Sequence, residues 1–323
     1  MDLDVRRLRL LREVALRGTI AAAADALGFT PSAVSQQLST LERESATTLL
    51  ERSGRGVRLT DAGRLLVERT GPVLVALEEA RAALEVSRQE VVGDLRVAAS
   101  GSVARALVVP VVAEVARDHP RLRLAVLEVD GDDGVRGLRL GELDVVVAHD
   151  YDHAPRPPLD DLVVVELFVE ALYVAAPAGR FAGPLALADL AGEVWAADPP
   201  EASCGAAMRR ACRAVGFEPD VRYNSRESAV VLRAVREGGA VALLPELALS
   251  STPPGVDVLA VTDVFVQRRV FAARRGGAPV RPAVAVLLDR LAGAAQDLRG
   301  GAEHGRRLRS GAERARRRVS SER

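Results

Sequence analysis

Up to Glu90 the apolar residues recur at helical spacing, whereas from Gly93 they fall into short blocks that alternate with helical stretches. Residues 3–17, LDVRRLRLLREVALR, place Leu3, Leu8, Leu11, Val14 and Ala15 on one side of a helix that Gly18 ends. The stretch TIAAAADALGFTPSAVSQQLSTLE, Thr19 to Glu42, reads as two short helices with a tight turn between them. Thr19 caps the first, Gly28 supplies its left-handed end, and Thr30 caps the second with Pro31 at its first position, where a missing N–H costs nothing.

The second of these helices has two faces. Val34, Leu38 and Leu41 form an apolar stripe, and Ser32, Gln36, Ser39 and Arg43 run opposite them. Hydroxyls, an amide and a guanidinium on an outward face suit base edges and phosphates in a major groove. An ordinary amphipathic surface helix is the competing reading, although its outer face more usually carries Glu and Lys. After Glu44 and the polar stretch Ser45–Thr48, ERSGRGVRLT reads as a hairpin turning through Ser53-Gly54-Arg55-Gly56. Arg52, Arg55 and Arg58 would stud that wing near phosphates or a minor groove. A solvated turn is the alternative.

Thr60 then caps a long helix with Asp61 at its positive end. From Asp61 to about Glu90, the residues Leu66, Thr70, Val73, Leu77, Ala80 and Leu84 recur at alternating spacings of four and three, a heptad seam that asks for a partner helix. Gly71-Pro72 predicts a kink in one helix, not two helices. Packing on its own chain is the alternative to a dimer seam.

The remainder alternates. Strands are predicted at Leu95–Ala99, Leu122–Val129, Val145–His149, Leu162–Phe168, Ala171–Ala176, Val194–Ala197, Val221–Asn224, Ala240–Leu244 and near Val270–Ala273. Helices are predicted at Val103–Asp118, Gly134–Leu140, Cys204–Val215, Ser228–Glu237 and Pro282–Leu298, with a proline-rich crossover at Ala154–Leu159. That alternation argues for parallel sheet covered on both faces, with material for two such lobes.

Composition changes this picture little. At 323 residues the chain is long enough for two or three folded units, and its net charge of +0 argues for no partner. Every basic residue is Arg, an imprint of a GC-rich genome more than of guanidinium chemistry. Residues 299–323 hold nine Arg against three Glu, a net of +6, with almost no apolar content, and are expected to be a disordered basic tail. Cys204 and Cys212 lack metal-ligand spacing to a histidine, so reduced thiols fit better than a disulfide scaffold. With no secretory signal and no apolar run long enough to span a bilayer, a cytoplasmic protein without membrane contact is expected.

The ordered set resembles the LysR-type transcriptional regulators over roughly residues 3–298. The N-terminal sixty residues carry most of it: the alanine-rich helix, TPSAVSQQLSTLE, then ERSGRGVRLTDAG. Gly93-Asp94-Leu95-Arg96-Val97, Gly141-Glu142-Leu143-Asp144 and Gly238-Gly239-Ala240-Val241-Ala242-Leu243-Leu244-Pro245 are weaker matches in the same order. The resemblance implies an N-terminal winged helix-turn-helix over residues 1–60, mainly α, and a linker (dimerisation) helix over 61–91. It then implies a two-lobed α/β effector domain, periplasmic-binding-protein-like, over 92–298. Lobe 1 would be about 92–160 with 264–298, and lobe 2 about 161–263. The expected function is sequence-specific binding of double-stranded DNA under control of a small-molecule effector, by a homodimer, with a homotetramer and contact to RNA polymerase as further expectations. No cofactor or metal is implied.

On this sequence the resemblance suggests Thr30, Ser32, Ser35 and Gln36 as recognition-helix contacts, with Arg52 and Arg55 on the wing. Ser39, Arg43 and Arg58 follow from the helix face and the hairpin. Pro31 stands where the family commonly has a glutamine, Ser45-Ala46 where it has Leu-Gly, and Leu50 where it has Phe. The basic tail is no family feature. In open α/β lobes ligands bind at carboxyl ends of strands against helix starts. That rule places Ser100, Gly101 and Ser102 after the first strand, His149 after the third, and Asp198 and Ser203 after the strand of Trp195, facing one cleft. Simple capping and hinge roles compete with ligand contact at these positions.

Three rivals remain. An enzyme lacks support, since the chain carries no GxSxG, HExxH, GxxxxGK[ST] or GxGxxG motif, and a Cys204–His149 couple is the sole candidate. A solute receptor without DNA function does not explain the N-terminal sixty residues. A regulator with degenerate operator specificity is the third.

Overall fold

The computed structural model describes residues 3–53, 56–88, 90–129, 131–276 and 279–299. Residues through Arg88, with Arg139–Glu142, form one compact unit, and the remaining described residues form the other. The expected tail lies outside the described residues from position 300 onward.

The first unit is built from α1 (Val5–Arg17), α2 (Ile20–Leu27), α3 (Pro31–Ser45), the hairpin β1 (Leu50–Ser53) and β2 (Gly56–Leu59), and α4 (Asp61–Arg88). Local chemistry sets each boundary. The Asp4 carboxylate accepts from the Arg6 amide at 2.7 Å, Thr19 Oγ1 from Ala22 at 3.2 Å and Thr30 Oγ1 from Ala33 at 3.3 Å. Gly18 and Gly28 close α1 and α2 at φ 72° and 70°. The expected stripe of α3, Val34, Leu38 and Leu41, is buried against Leu8, Leu11, Val14, Ala23 and Ala24. Leu10 joins this core as well, although the face read from α1 omitted it. α4 is a single helix of 28 residues that continues through Pro72.

The second unit runs through β3 (Gly93–Ala99), α5 (Gly101–Val103), a π-turn Ala104–Val108, α6 (Val109–Asp118), β4 (Leu122–Glu128), α7 (Gly131–Arg139), β5 (Val145–Tyr151) and β6 (Leu162–Pro177). It continues through β7 (Val194–Ala197), α8 (Ser203–Ala214), β8 (Asp220–Asn224), α9 (Ser228–Gly238), β9 (Ala242–Pro245), β10 (Val256–Leu259) and β11 (Gln267–Arg275), and ends with a helix over 282–299, here α10. The strands lie in the order β10-β6-β11-β5-β3-β4, with β9 also paired to β6, and β7 pairs with β8.

Alternation along the strands explains why both faces are covered. In the first lobe Val97, Ala99, Val145 and Val147 face the α5–α6 run and α10, while Ala98, Val146 and Ala148 face α7. In the second, Val174, Ala176 and Trp195 pack with Met208, Ala211 and Cys212 of α8, whereas Ala175 and Ala196 pack with Val231, Leu232 and Val235 of α9. Each fully buried Val or Leu is worth about 1.5–3 kcal/mol over exposure, so strands covered twice read as nearly continuous apolar runs.

Two expectations are corrected here, and one strand is added. The sheet is mixed, not parallel: β3 pairs in parallel with β4 and β5, but β6 pairs antiparallel with β9, β10 and β11, and β11 antiparallel with β5. Parallel pairing needs a long covering crossover, and the proline-rich segment between β5 and β6 contains no helix. The two strands read at Leu162–Phe168 and Ala171–Ala176 are one strand of 16 residues. Glu170 lies between those two stretches, and its carboxylate is buried beside Arg268 on the neighbouring strand, which lets β6 continue. β10 was missed because it is only four residues long and mostly half-exposed.

Candidate functional site

In the first unit the outward face of α3 presents Ser32, Ser35, Gln36, Ser39 and Arg43, all exposed. Thr30 is exposed too, but its hydroxyl caps the helix and lies 3.1 Å from that of Ser32. The Arg43 guanidinium donates to Thr40 Oγ1 at 3.1 Å, and Thr40 donates to the Gln36 carbonyl at 3.0 Å. In the turn after α3, Ala46 sits at φ 49°, strained for a residue with a Cβ. Side chains hold it there. Glu42 Oε1 accepts from the Leu49 and Leu50 amides at 2.8 and 3.1 Å, and Ser45 Oγ donates to the Leu41 carbonyl at 2.8 Å.

On the hairpin Arg52 stands opposite Val57, and Arg55 lies outside the described residues. Arg58 donates to Glu51 across the two strands at 2.5 Å, so this cation is already paired within the wing. Along α4 the seam divides. Leu66 packs against the core of its own unit, and Thr70 is buried with its hydroxyl bonded to the Leu66 carbonyl at 2.7 Å. Val73, Leu77, Ala80 and Leu84 are exposed, which leaves the later turns of the seam as its open face.

In the second unit all six expected residues, Ser100, Gly101, Ser102, His149, Asp198 and Ser203, line one cavity of about 680 Å³. Its centre is His149 at the end of β5, only 4% exposed. Nδ1 of the ring lies 3.3 Å from Ser100 Oγ at the end of β3, and Nε2 lies 3.1 Å from Ser203 Oγ at the start of α8. The imidazole thus joins serines from both lobes. Burial, and then the positive charges of Arg268 and Arg156, hold its pKa well below 6.5, so the ring is neutral at neutral pH.

Residues that the sequence reading did not select complete the wall, among them Arg105, Glu128, Tyr151, Cys204, Arg226 and Arg268. Arg268 is the most consequential. It is 2% exposed, donates from Nε to Glu170 Oε1 at 2.7 Å and from Nη2 to the same oxygen, and donates from Nη1 to Ser102 Oγ at 3.1 Å. Glu170 Oε2 accepts from the Leu247 amide at 2.7 Å. Burial alone would lower the guanidinium's pKa, but the Glu170 carboxylate carries it above its ordinary value. One sequence signal existed: Gln267-Arg268-Arg269-Val270 continues a strand whose alternation turns Arg268 inward with Val270.

Cys204 and His149 do not form a nucleophile and base. Both ring nitrogens of His149 face serines, and burial together with the Asp198 charge pushes the Cys204 thiol up to about 12. Among the described residues no cluster of three or more His, Cys, Asp or Glu could hold a metal, and no helix is long and apolar enough to cross a membrane.

Family models for the LysR substrate binding domain and for the bacterial regulatory helix-turn-helix protein, lysR family, match residues 88–296 and 5–64. The chain belongs to the LysR family of transcriptional regulators. It therefore combines a helix-turn-helix DNA-binding segment with an effector-binding domain. Among curated relatives, the HTH-type transcriptional regulator GbpR of Azospirillum brasilense is 30% identical over 267 residues, 78% of this chain and 75% of that protein. The small neutral protease regulatory protein of Streptomyces coelicolor is 31% identical over 251 residues, 73% of this chain and 72% of that protein. Among solved structures, a full-length OxyR variant from Pseudomonas aeruginosa has a TM-score of 0.66 at 23% identity, over 90% of this chain and 98% of that one, a likeness of fold.

Two outcomes follow for this LysR-type domain. Glu170→Ala leaves Arg268 buried without its carboxylate and is expected to cost about 3–5 kcal/mol in urea unfolding, with much of the loss recovered in the double variant Glu170→Leu, Arg268→Met. A single-variant loss under about 1 kcal/mol would show the pair to be solvated. As pH falls below about 6.5 the unfolded chain gains a proton at His149 that the folded chain resists, so stability drops by up to about 1.4 kcal/mol per pH unit. His149→Gln should flatten that slope in unfolding curves between about pH 6.5 and 5, and an unchanged slope would assign it to other groups.

Proposed function

We propose that this LysR-family chain reads an operator through the outward face of α3 and responds to a small molecule held in the cavity around His149. The convergence of the six expected residues on one polar cavity carries the effector half of the reading. Ser32, Ser35, Gln36 and Ser39 supply base-edge donors and acceptors, while Thr30 positions the helix start. Arg43, with Arg52, Arg55 and Arg58 of the wing, supplies phosphate contact. Arg58 must exchange Glu51 for a phosphate to take part. Pro31 removes one amide from the usual readout, so Gln36 bears more of it.

Two copies join through Val73, Leu77, Ala80 and Leu84 on α4, a seam shorter than the heptad count implies because its first positions serve the unit's own core. The protein works in the cytoplasm and does no chemistry on its effector, since its cavity thiol stays protonated and its histidine is committed to serines.

Gel retardation on the DNA upstream of its own gene should weaken about a thousandfold between roughly 50 and 200 mM salt while surviving random competitor DNA. Gln36→Ala should erase the preference over competitor and keep the salt slope; no preference in the unmodified protein would sink operator reading. The double variant Leu77→Asp, Leu84→Asp should sediment as a monomer. An unchanged mass would place the dimer contact elsewhere.

A further inference from the structure

The charge of this chain is unevenly placed. Of its 44 basic and 44 acidic residues, nine and three lie in residues 299–323, so the rest holds 35 Arg against 41 acids, a net of −6. A body of that sign repels the polyanion that a helix-turn-helix must approach. The winged unit offsets this only slightly, since residues 1–60 hold nine Arg against seven acids, a net of +2. Several of its arginines are also engaged already. Arg7 meets Glu44, Arg17 meets Glu13 at 2.9 Å, Arg58 meets Glu51 at 2.5 Å and Arg64 meets Asp61. Such exposed pairs are weak and can exchange, but a phosphate that claims one of these cations leaves a carboxylate behind at the DNA surface.

The basic excess that the body lacks is gathered after α10. Arg306, Arg307 and Arg309 form one group and Arg314, Arg316, Arg317 and Arg318 a second, with Glu313 the one acid between Arg306 and Arg318. The segment departs from a fixed point, because Leu298 near the end of α10 still packs on the core of the first lobe. Its 24 residues after Arg299 can reach at most about 80 Å. The body's own carboxylates offer it little, since many already hold arginines of their unit. Asp94 holds Arg123 at 2.7 Å, Asp150 holds Arg269 at 2.6 Å and Glu218 holds Arg213 at 2.5 Å.

We infer that residues 306–318 are a second DNA contact of this chain, one that takes phosphates of the duplex and reads no bases. The inference goes beyond operator reading and does not depend on which bases α3 prefers. Each phosphate that a guanidinium neutralises releases condensed counterions and adds about 0.9 to the salt slope of binding. Apart from Leu308, Gly311 and two Ala, residues 306–318 hold no apolar side chain. That leaves the acyl boundary of a membrane almost nothing to bury and favours a partner that is charged throughout. Tethering then raises the local concentration: once the winged unit is on a duplex, the segment meets neighbouring phosphates without a second encounter. It strengthens binding to any duplex alike, and the ratio of operator to random DNA stays where the base contacts set it.

The test uses full-length protein and fluorescence anisotropy on a random-sequence duplex and on DNA upstream of its own gene, from about 50 to 200 mM salt. Arg306→Gln, Arg307→Gln and Arg309→Gln neutralise the first group. Arg314→Gln, Arg316→Gln, Arg317→Gln and Arg318→Gln neutralise the second. With both groups neutral, random duplex should bind at least about tenfold more weakly at about 100 mM salt, and the slope should fall by about two or more. Each group alone should give part of that fall, and Lys at all seven positions should restore the slope. The operator-to-random ratio and the unfolding midpoint should not move. An unchanged slope in the neutral protein, or an equal fall in the Lys protein, would overturn the proposal. So would tighter binding by the neutral protein, which would show the segment competing from its own body. Weakening confined to the operator would make the segment a base reader and overturn it as well. A larger loss on single-stranded RNA or phosphatidylglycerol vesicles than on the duplex would move the assignment to that polyanion. A segment-dependent slope without any operator preference would strike operator reading alone and leave this contact standing.

Discussion

The Arg268–Glu170 pair is the constraint on which the second unit depends. Two charges with side chains only 3% and 5% exposed cannot be left apart, since separating either would strand an ion in a medium that solvates it poorly. Their hydrogen bonds therefore fix four elements together. Arg268 stands on β11, Glu170 opposite it on β6, Ser102 on α5, and Leu247 in the turn after β9. β6 carries residues of both lobes along one strand, so the pair sits where the lobes share their sheet. A hydrophobic pair of equal volume could hold the strands as well or better. What it could not do is pass a donor to Ser102 and thereby settle which way that hydroxyl points.

How much of this was legible depended on whether a feature was local. The caps at Thr19 and Thr30, the glycines at 18 and 28 and the apolar stripe of α3 are written in neighbouring residues, and the structure has them where the pattern placed them. The cavity residues Ser100, His149 and Ser203 were also accessible, because strand ends followed by helix starts can be located in sequence even when the sheet order is unknown. Neither serine caps through its side chain, however: each hydroxyl turns to the imidazole instead.

The misses all involve long-range partners. Glu170 falls between the two predicted strands, Leu162–Phe168 and Ala171–Ala176, because the counterion that lets it be buried is 98 residues away. Arg268 lies ahead of the strand predicted near Val270–Ala273, whose observed span begins at Gln267. Tyr151 falls just beyond the strand end that the apolar pattern gave, so its burial was invisible. The parallel sheet was wrong for a related reason: alternation of strands and helices specifies the crossovers that exist, and says little about a return strand such as β11 that arrives without one. In α4 the periodicity was correct and its meaning divided. Leu66 and Thr70 obey the heptad but face their own core, because a helix leaving a folded unit must first satisfy that unit.

The same logic bears on why a neutral histidine, and not another ion pair, spans the two lobes. A ligand can move an equilibrium between arrangements only by its difference in affinity for them, so contacts it must compete with have to be weak enough to exchange. A buried ion pair linking the lobes at His149 would be too costly to open. Two neutral hydrogen bonds contribute about 0.5–1.5 kcal/mol each, within reach of what a small bound ligand can supply. His149 can also change which nitrogen holds its proton, so either serine can turn its hydrogen toward the cavity without a change in charge. The fixed pair at Arg268 and the exchangeable pair at His149 are thus complementary. The first holds one hydroxyl in a set orientation, and the second lets the other two adapt to what arrives.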